Sequence, residues 1–421
     1  MNTKVLGNGD TLADQKEHFT DSQDKGHGFR NVSKVWTEQC ITFQQGRELL
    51  ADQQQAITDI RCGLDGWATD VVDGQFVMVH KASGNAYRPT SHAIKNIAYV
   101  GKGSSWQLAD LLEPKVHTSS KDKRTGEPKV LFERDERDAE LLCNIVDHYL
   151  FNADRLEQDK IRLFRTWSDG TLRAVLSDQY SIVNNDWYMS VLEEAIPGGL
   201  LSHWRGDADT IFGNVLIPDS IRQEDDSAYG GMLSVGNSEI GLRRIMSLPS
   251  VFRAICMNGC IWDQENGKGC NKVHRGEINL EQLKFEIIEG LQKQIPLLSS
   301  GIDRLLLTKQ LKIGITPLKN ILAVICKENG ITKRRVPALA KAFKVEENIL
   351  GSEVRTAFGV VSTITRFGQE LENDGWVKMD MVGGELSNID SPSWENLLKR
   401  AGGLSDKQVE KILGDISHLL G

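Results

Sequence analysis

Apolar positions change their spacing along this chain, and the changes divide it. From Asn279 to Leu307 they fall at Leu280, Leu283, Ile287, Leu291 and Ile295, steps of three and four that line one face of a helix. Pro296 lacks an N–H and should divide that helix. Leu318–Lys327, Val336–Phe343 and Ser352–Leu371 continue the helical pattern, and Ser393–Leu420 reads as two short helices parted at Gly402-Gly403. Upstream the runs are shorter and β-rich. Trp67–His80 holds two of them around Asp73-Gly74, and Lys160–Arg165 and Leu172–Leu176 flank Ser168-Asp-Gly170. Both read as hairpins, because Asp and Gly reach the positive φ that tight turns need. Leu201–Pro218 and Gly231–Ser238 read as strands joined by an acidic loop, Arg222–Tyr229. Ala86-Tyr-Arg-Pro leads to a further extended piece ending at Tyr99-Val100. Helical character is expected over Val35–Ile60, Glu133–Asp159 and Asn185–Ala195.

These elements predict an α+β fold: a central twisted, mainly antiparallel sheet with β-hairpins, followed by a helical C-terminal region. Five segments are expected. A polar flexible tail covers 1–35. A small α/β subdomain or extension covers 36–129 and ends in the charged breaker His117–Lys129. A β-rich core covers 130–278, a basic helical region packed on it covers 279–372, and a C-terminal helical tail covers 373–421.

Composition narrows the class of function. The 421 residues are 40% hydrophobic and 26% charged, ordinary globular values. No window approaches the roughly 18 apolar residues of a membrane span, and the N-terminus lacks a basic start followed by an apolar stretch. Seven cysteines, an odd number spread through a long chain, read as reduced thiols. A cytoplasmic protein with no membrane partner is expected. The chain has no Gly-x4-Gly-Lys-Ser/Thr loop, no Gly-x-Ser-x-Gly elbow, no His-Glu-x2-His helix and no dinucleotide fingerprint. No cofactor and no catalytic residue is therefore assigned, and ATP-driven chemistry is not expected.

Three stretches carry a resemblance. They are Leu172-Arg-Ala-Val-Leu-Ser-Asp-Gln-Tyr-Ser-Ile-Val-Asn-Asn185, Ser234-Val-Gly-Asn-Ser-Glu-Ile-Gly241 and Val251-Phe-Arg-Ala-Ile-Cys-Met-Asn-Gly259, the last followed by His274-Arg-Gly276. In this order they resemble a phage- and plasmid-borne family of uncharacterised function, the phage/plasmid-like proteins. Arg355–Arg366 is similar to that family's closing helix, so the resemblance covers about residues 130–370. It implies a bacterial host cell and a place among replication and recombination functions. Its order of elements is analogous, at fold level only, to single-strand annealing proteins.

The motif residues Asn237, Ser238, Glu239, Gly241, Asn258 and Gly259 have plain structural readings. Glu239 fits an ion pair with Arg243 or Arg253, either as a fastener or to pose an arginine for phosphate. Asn258-Gly259 fits a tight turn between strands Phe252–Met257 and Cys260–Asp263. Cys256, Cys260, Cys270 and His274 could supply four zinc ligands, against the default of buried free thiols, and no metal is assigned.

Charge points to a partner. The net charge is −8, yet Gly301–Val345 holds ten basic residues against Asp303 and Glu328, a local +8. Such clustering is the footprint of phosphate binding, although a solvated helix face would look similar. Thr332–Phe343 could also close a helix-turn-helix. The residues expected to contact nucleic acid are Arg162, Arg165, Arg173, Arg253, Lys272, Arg275, Lys333, Arg334, Arg335 and Lys341, with Trp167 and Tyr180 as stacking platforms. The function these features predict is ATP-independent binding or annealing of single-stranded DNA, by a homo-oligomer in a ring or filament. The alternative is a non-catalytic factor that binds a host or phage recombination, replication or defence protein. A metal-dependent nuclease is a third, more remote reading.

Overall fold

The structure, a computed structural model, describes residues 40–53, 56–100, 136–152, 159–224, 227–253, 258–261, 270–371, 373–389 and 392–414. The flexible tail expected over 1–35 and the breaker His117–Lys129 lie outside these residues.

In chain order the first elements are β1 (Ile41–Thr42), α1 (Phe43–Ala51), β2 (Ile57–Cys62), β3 (Trp67–Val72), β4 (Gln75–His80), β5 (Ala86–Pro89), α2 (Ser91–Val100) and α3 (Glu136–Asn152). The β-rich middle holds β6 (Arg162–Trp167), β7 (Thr171–Ser177), α4 (Asn185–Ala195), β8 (Leu200–Gly206), β9 (Thr210–Leu216), β10 (Arg222–Glu224), β11 (Ser227–Ser238), β12 (Ile245–Arg253), β13 (Asn258–Ile261) and β14 (Cys270–Lys272). Helices follow: α5 (Leu280–Gln294), α6 (Leu298–Leu307), α7 (Ile315–Asn329), α8 (Val336–Leu350), α9 (Ala357–Gln369), α10 (Asn373–Leu386), α11 (Pro392–Gly402) and α12 (Asp406–Leu413). The fold is α+β, with antiparallel hairpin-rich sheets and a helical C-terminal region.

Among the described residues two sheets form, instead of the one expected. The first runs β1-β8-β9-β11-β12-β13, with β10 paired to β11 and β14 to β12. The second runs β2-β6-β7-β5-β4-β3 and is antiparallel except for β5 with β7. The second sheet takes four strands from residues before 129 and two from residues after it, so the boundary expected at 129/130 cuts one sheet. Its hairpins follow the turn chemistry. Val72 pairs with Gln75 across Asp73 (φ 51°) and Gly74 (φ 72°), and Gly170 (φ 85°) closes the turn from β6 to β7.

β11 and β12 are buried along their whole length because both faces are covered. On one face Leu233, Val235, Ile245 and Val251 join the main core with residues of α5 to α9. On the other, Phe212, Met246 and Leu248 pack on Trp376 of α10. Close approach sets one position: a Cβ on Gly231 would lie 2.3 Å from Leu298 Cδ1, so any larger residue would push the Leu298 side chain of α6 aside.

Several expected elements differ. Ile57–Cys62 is a strand, since its run of Ile, Thr and Cys completes the edge beside β6. Ser91–Val100 is a helix, started where the Thr90 hydroxyl accepts from the Ala93 N–H. The acidic loop Arg222–Tyr229 is a hairpin, with Arg222 opposite Tyr229. Asn258 and Gly259 lie within β13, opposite Arg253 and Phe252, so Asn-Gly is strand and not the tight turn expected. Finally, α8 packs along α9 instead of forming a compact pair with α7, and six residues separate α7 from α8. That geometry is not a helix-turn-helix.

Candidate nucleic-acid interface

The strand arginines expected to touch phosphate are turned inward. Arg165 on β6 is 1% exposed, and Arg173 on β7 and Glu239 are fully buried. Glu239 sits just after β11, on the other sheet. Its carboxylate lies 3.2 Å from Arg173 Nη2 and 3.6 Å from Arg165 Nη1, and it accepts the Asn185 N–H at 2.9 Å. Arg165 also donates to the Glu239 carbonyl at 2.6 Å and pairs with Asp59 at 3.1 Å, while Arg173 pairs with Asp209 at 2.6 Å. The partners of Glu239 are thus Arg165 and Arg173, not Arg243 or Arg253.

The neighbouring motif residues complete this fastener. Asn237 Nδ2 donates to the Val183 carbonyl (2.8 Å) and to Asn185 Oδ1 (2.9 Å), and the Ser238 hydroxyl accepts the Leu242 N–H at 3.0 Å. Gly241 takes φ 81°, which turns the chain away. The motif therefore bolts the two sheets together and exposes no arginine to a ligand.

Arg253 belongs to a second buried group of the same design. Glu346 of α8, fully buried, lies 3.5 Å from Arg253 Nη1 and accepts from Arg366 Nε at 2.5 Å. The Arg253 guanidinium also sits 5.3 Å from the Phe358 ring. Arg162 is buried in β6 between Cys62 and Ser177. All four strand arginines are inaccessible, because inner strands covered on both faces bury whatever they carry.

The stacking candidates are occupied as well. Tyr180 stacks on His274 with centroids 5.0 Å apart and donates to the Ser238 carbonyl at 2.7 Å. Trp167 carries the Arg173 guanidinium 4.5 Å from its ring.

The four-ligand zinc arrangement is not supported. His274 Nδ1 donates to the Ser181 carbonyl at 2.9 Å, and burial lowers the pKa of this ring. Cys260 pairs with Val251 and Cys270 with Ser247 on the same side of β12. Four residues along that strand separate the two by about 13 Å, too far to share one ion. Burial pushes the Cys270 thiol up to about 11, so it holds its proton. Cys256 and the Cys260 side chain lie outside the described residues, among which no group of three potential ligands gathers.

The remaining cations are exposed and fall in two places. Lys272 on β14 and Arg275 line an open cleft of about 610 Å³, together with Arg244, Asn279, Glu277 and Glu286. β14 pairs with the start of β12, which places Lys272 opposite Ile245 and beside Arg244. The start of α5 forms the facing wall, where Asn279 caps the helix by accepting the Gln282 N–H at 3.0 Å. Lys272 bonds Glu286, and that bond holds the Glu286 carboxyl below its usual pKa. Arg244 and Arg275 are exposed and pair with no carboxylate among the described residues. Sequence reasoning missed Arg244, whose signal was its place in Arg243-Arg244 just before a strand, and Phe285, 59% exposed on α5.

The second place is the turn before α8. Lys333, Arg334 and Arg335 are exposed there, and Lys341 is exposed one turn into the helix. The two places do not share a groove. None of Lys333, Arg334, Arg335 and Lys341 is among the residues that line the cleft. The local charge is also smaller than the run implied, since Glu346, Glu347 and Glu353 follow at once and Lys309 and Lys344 pair with Glu353 and Glu347.

Comparison with family models, with curated proteins and with solved structures found no match to this chain.

Proposed function

We propose that this chain binds single-stranded DNA without ATP, seating the phosphate backbone in the cleft between β14 and α5. The observation that carries this is the cleft itself. Three cations from two segments, Arg244 before β12 and Lys272 and Arg275 at β14 and just after it, converge on it, and two of them have no carboxylate partner among the described residues. Exposed cations that neutralise no carboxylate suit an external anion, and Arg matches phosphate geometry. The positive end of the α5 dipole faces the same space and adds to the attraction. Phe285, exposed on the same helix, is the platform on which a base would stack. The volume is that of a small-ligand pocket. It suits a few nucleotides per chain, so tight binding calls for several copies along one strand.

The test is a mobility shift on single- and double-stranded oligonucleotides, with particle size measured by light scattering on the same samples. Arg244→Ala with Arg275→Ala should weaken single-strand binding and reduce the slope of log K against log salt by about 1.4, roughly 0.7 per lost contact. Both residues are exposed, so the fold should be untouched. Unchanged affinity and slope in this variant would remove the cleft from the assignment.

A further inference from the structure

The turn between α7 and α8 gathers a cationic surface that the cleft does not use. Lys327 in the last turn of α7, Lys333, Arg334 and Arg335 in the turn, and Lys341 on α8 are all exposed. None of the five pairs with a carboxylate among the described residues, and the nearby Glu328 is already held by Arg400 of α11 at 2.6 Å. Lys378 of α10 adds a sixth cation, its Nζ donating to the Asn329 carbonyl at 3.0 Å.

The backbone holds these charges in place. The Ile331 N–H returns to the Cys326 carbonyl at 2.9 Å, and the Arg335 N–H donates to the Thr332 carbonyl at 2.8 Å. The arrangement works against the stability of the chain alone. Three of the cations crowd the positive end of a 15-residue helix whose first turn has no acidic residue. Like charges fixed side by side without intramolecular partners are relieved by an anion with several charges in a row. The surface also lacks an apolar wedge: no exposed large hydrophobic residue lies between Lys327 and Lys344 among the described residues. A polyanionic backbone suits it better than a bilayer.

We infer that this turn is a second phosphodiester-binding surface, so that one chain engages two segments of nucleic acid at once. The ligand class rests on the reading of the cleft, but the surface is separate from it. None of its six cations lines the cleft. Holding two segments is what bringing strands together requires.

The test is anisotropy of labelled oligo(dT) across a salt series. It compares the full chain, the Arg244→Ala, Arg275→Ala variant, a Lys333→Ala, Arg334→Ala, Arg335→Ala variant, and the combination. Urea midpoints confirm that each remains folded. Each set alone should leave weakened binding, the turn set should lower the salt slope by about 2, and the combination should abolish binding. Residual binding by the cleft variant that the turn set removes supports the inference. Loss of all binding in the cleft variant overturns it and leaves the cleft standing. Full binding in the cleft variant, lost with the turn set, supports the turn and overturns the cleft. No binding by the full chain overturns both. Polyglutamate competing as well as oligo(dT), charge for charge, would also overturn the inference, since the site would then read acidity and not the phosphodiester chain.

Discussion

Replacing Glu239 with Gln isolates the charge that joins the two sheets. The side chain keeps its shape, and its amide oxygen can still accept the Asn185 N–H, bonded at 2.9 Å in the native chain. What disappears is the negative charge 3.2 Å from Arg173 and 3.6 Å from Arg165, both of them buried. Breaking a buried pair typically costs about 3–5 kcal/mol, because a charge is left uncompensated. Here each arginine retains one carboxylate, Asp59 at 3.1 Å and Asp209 at 2.6 Å, and each of those is about a quarter exposed. The loss should therefore lie near the lower end, about 3 kcal/mol, a large share of the ~5–15 kcal/mol typical of a domain. Urea denaturation followed by tryptophan fluorescence and by far-ultraviolet dichroism would measure it. Glu239→Ala should cost roughly 1–3 kcal/mol more, since it also orphans the Asn185 N–H. A Glu239→Gln variant within 1 kcal/mol of the parent, or one that keeps its fold but loses DNA binding, would refute a fastening role.

Other outcomes follow from single groups. Asp380 on α10 is buried, with no cation paired to it among the described residues, and burial raises its pKa well above the usual range. The folded chain therefore keeps a proton that the unfolded chain releases above about pH 4. Stability from this group is complete below the unfolded pKa and falls as pH rises towards the folded one, at about 1.4 kcal/mol per pH unit. Asp380→Asn should flatten that slope and raise the melting temperature at pH 7, and an unchanged pH profile would count against a neutral carboxyl. Adding EDTA or zinc should leave the melting temperature where it is, because Cys260 and Cys270 are held apart by their pairing to β12; a rise with stoichiometric zinc would contradict that registry.

What was legible in the sequence is local. Turn chemistry placed Asp73-Gly74 and Gly170 correctly, and period and proline placed α5 and its break at Ile295–Leu297. The failures concern what a segment meets across space. Ile57–Cys62 has no intrinsic reason to be a strand until β6 lies beside it, and Asn258-Gly259 would suit a turn did it not pair with Arg253 and Phe252 of β12. Direction was equally hidden in the site. Arg165 and Arg173 sit in strands buried on both faces, so alternation could not say which face was wet.

The fate of the basic residues follows from this distinction. A buried arginine needs a carboxylate, and Glu239 and Glu346 each serve two, Arg165 and Arg173 in strands and Arg253 and Arg366 in a strand and a helix. Lysines and arginines on edges, loops and helix ends meet water and need none. A run of positive charge thus becomes informative only after the charges that the fold uses internally are removed from it. By that criterion the cleft at Arg244, Lys272 and Arg275 and the turn at Lys333–Arg335 remain as the surfaces to test. Under the proposed function, the chain's net charge of −8 works in favour of selectivity, because the rest of the surface would repel a strand that does not enter them.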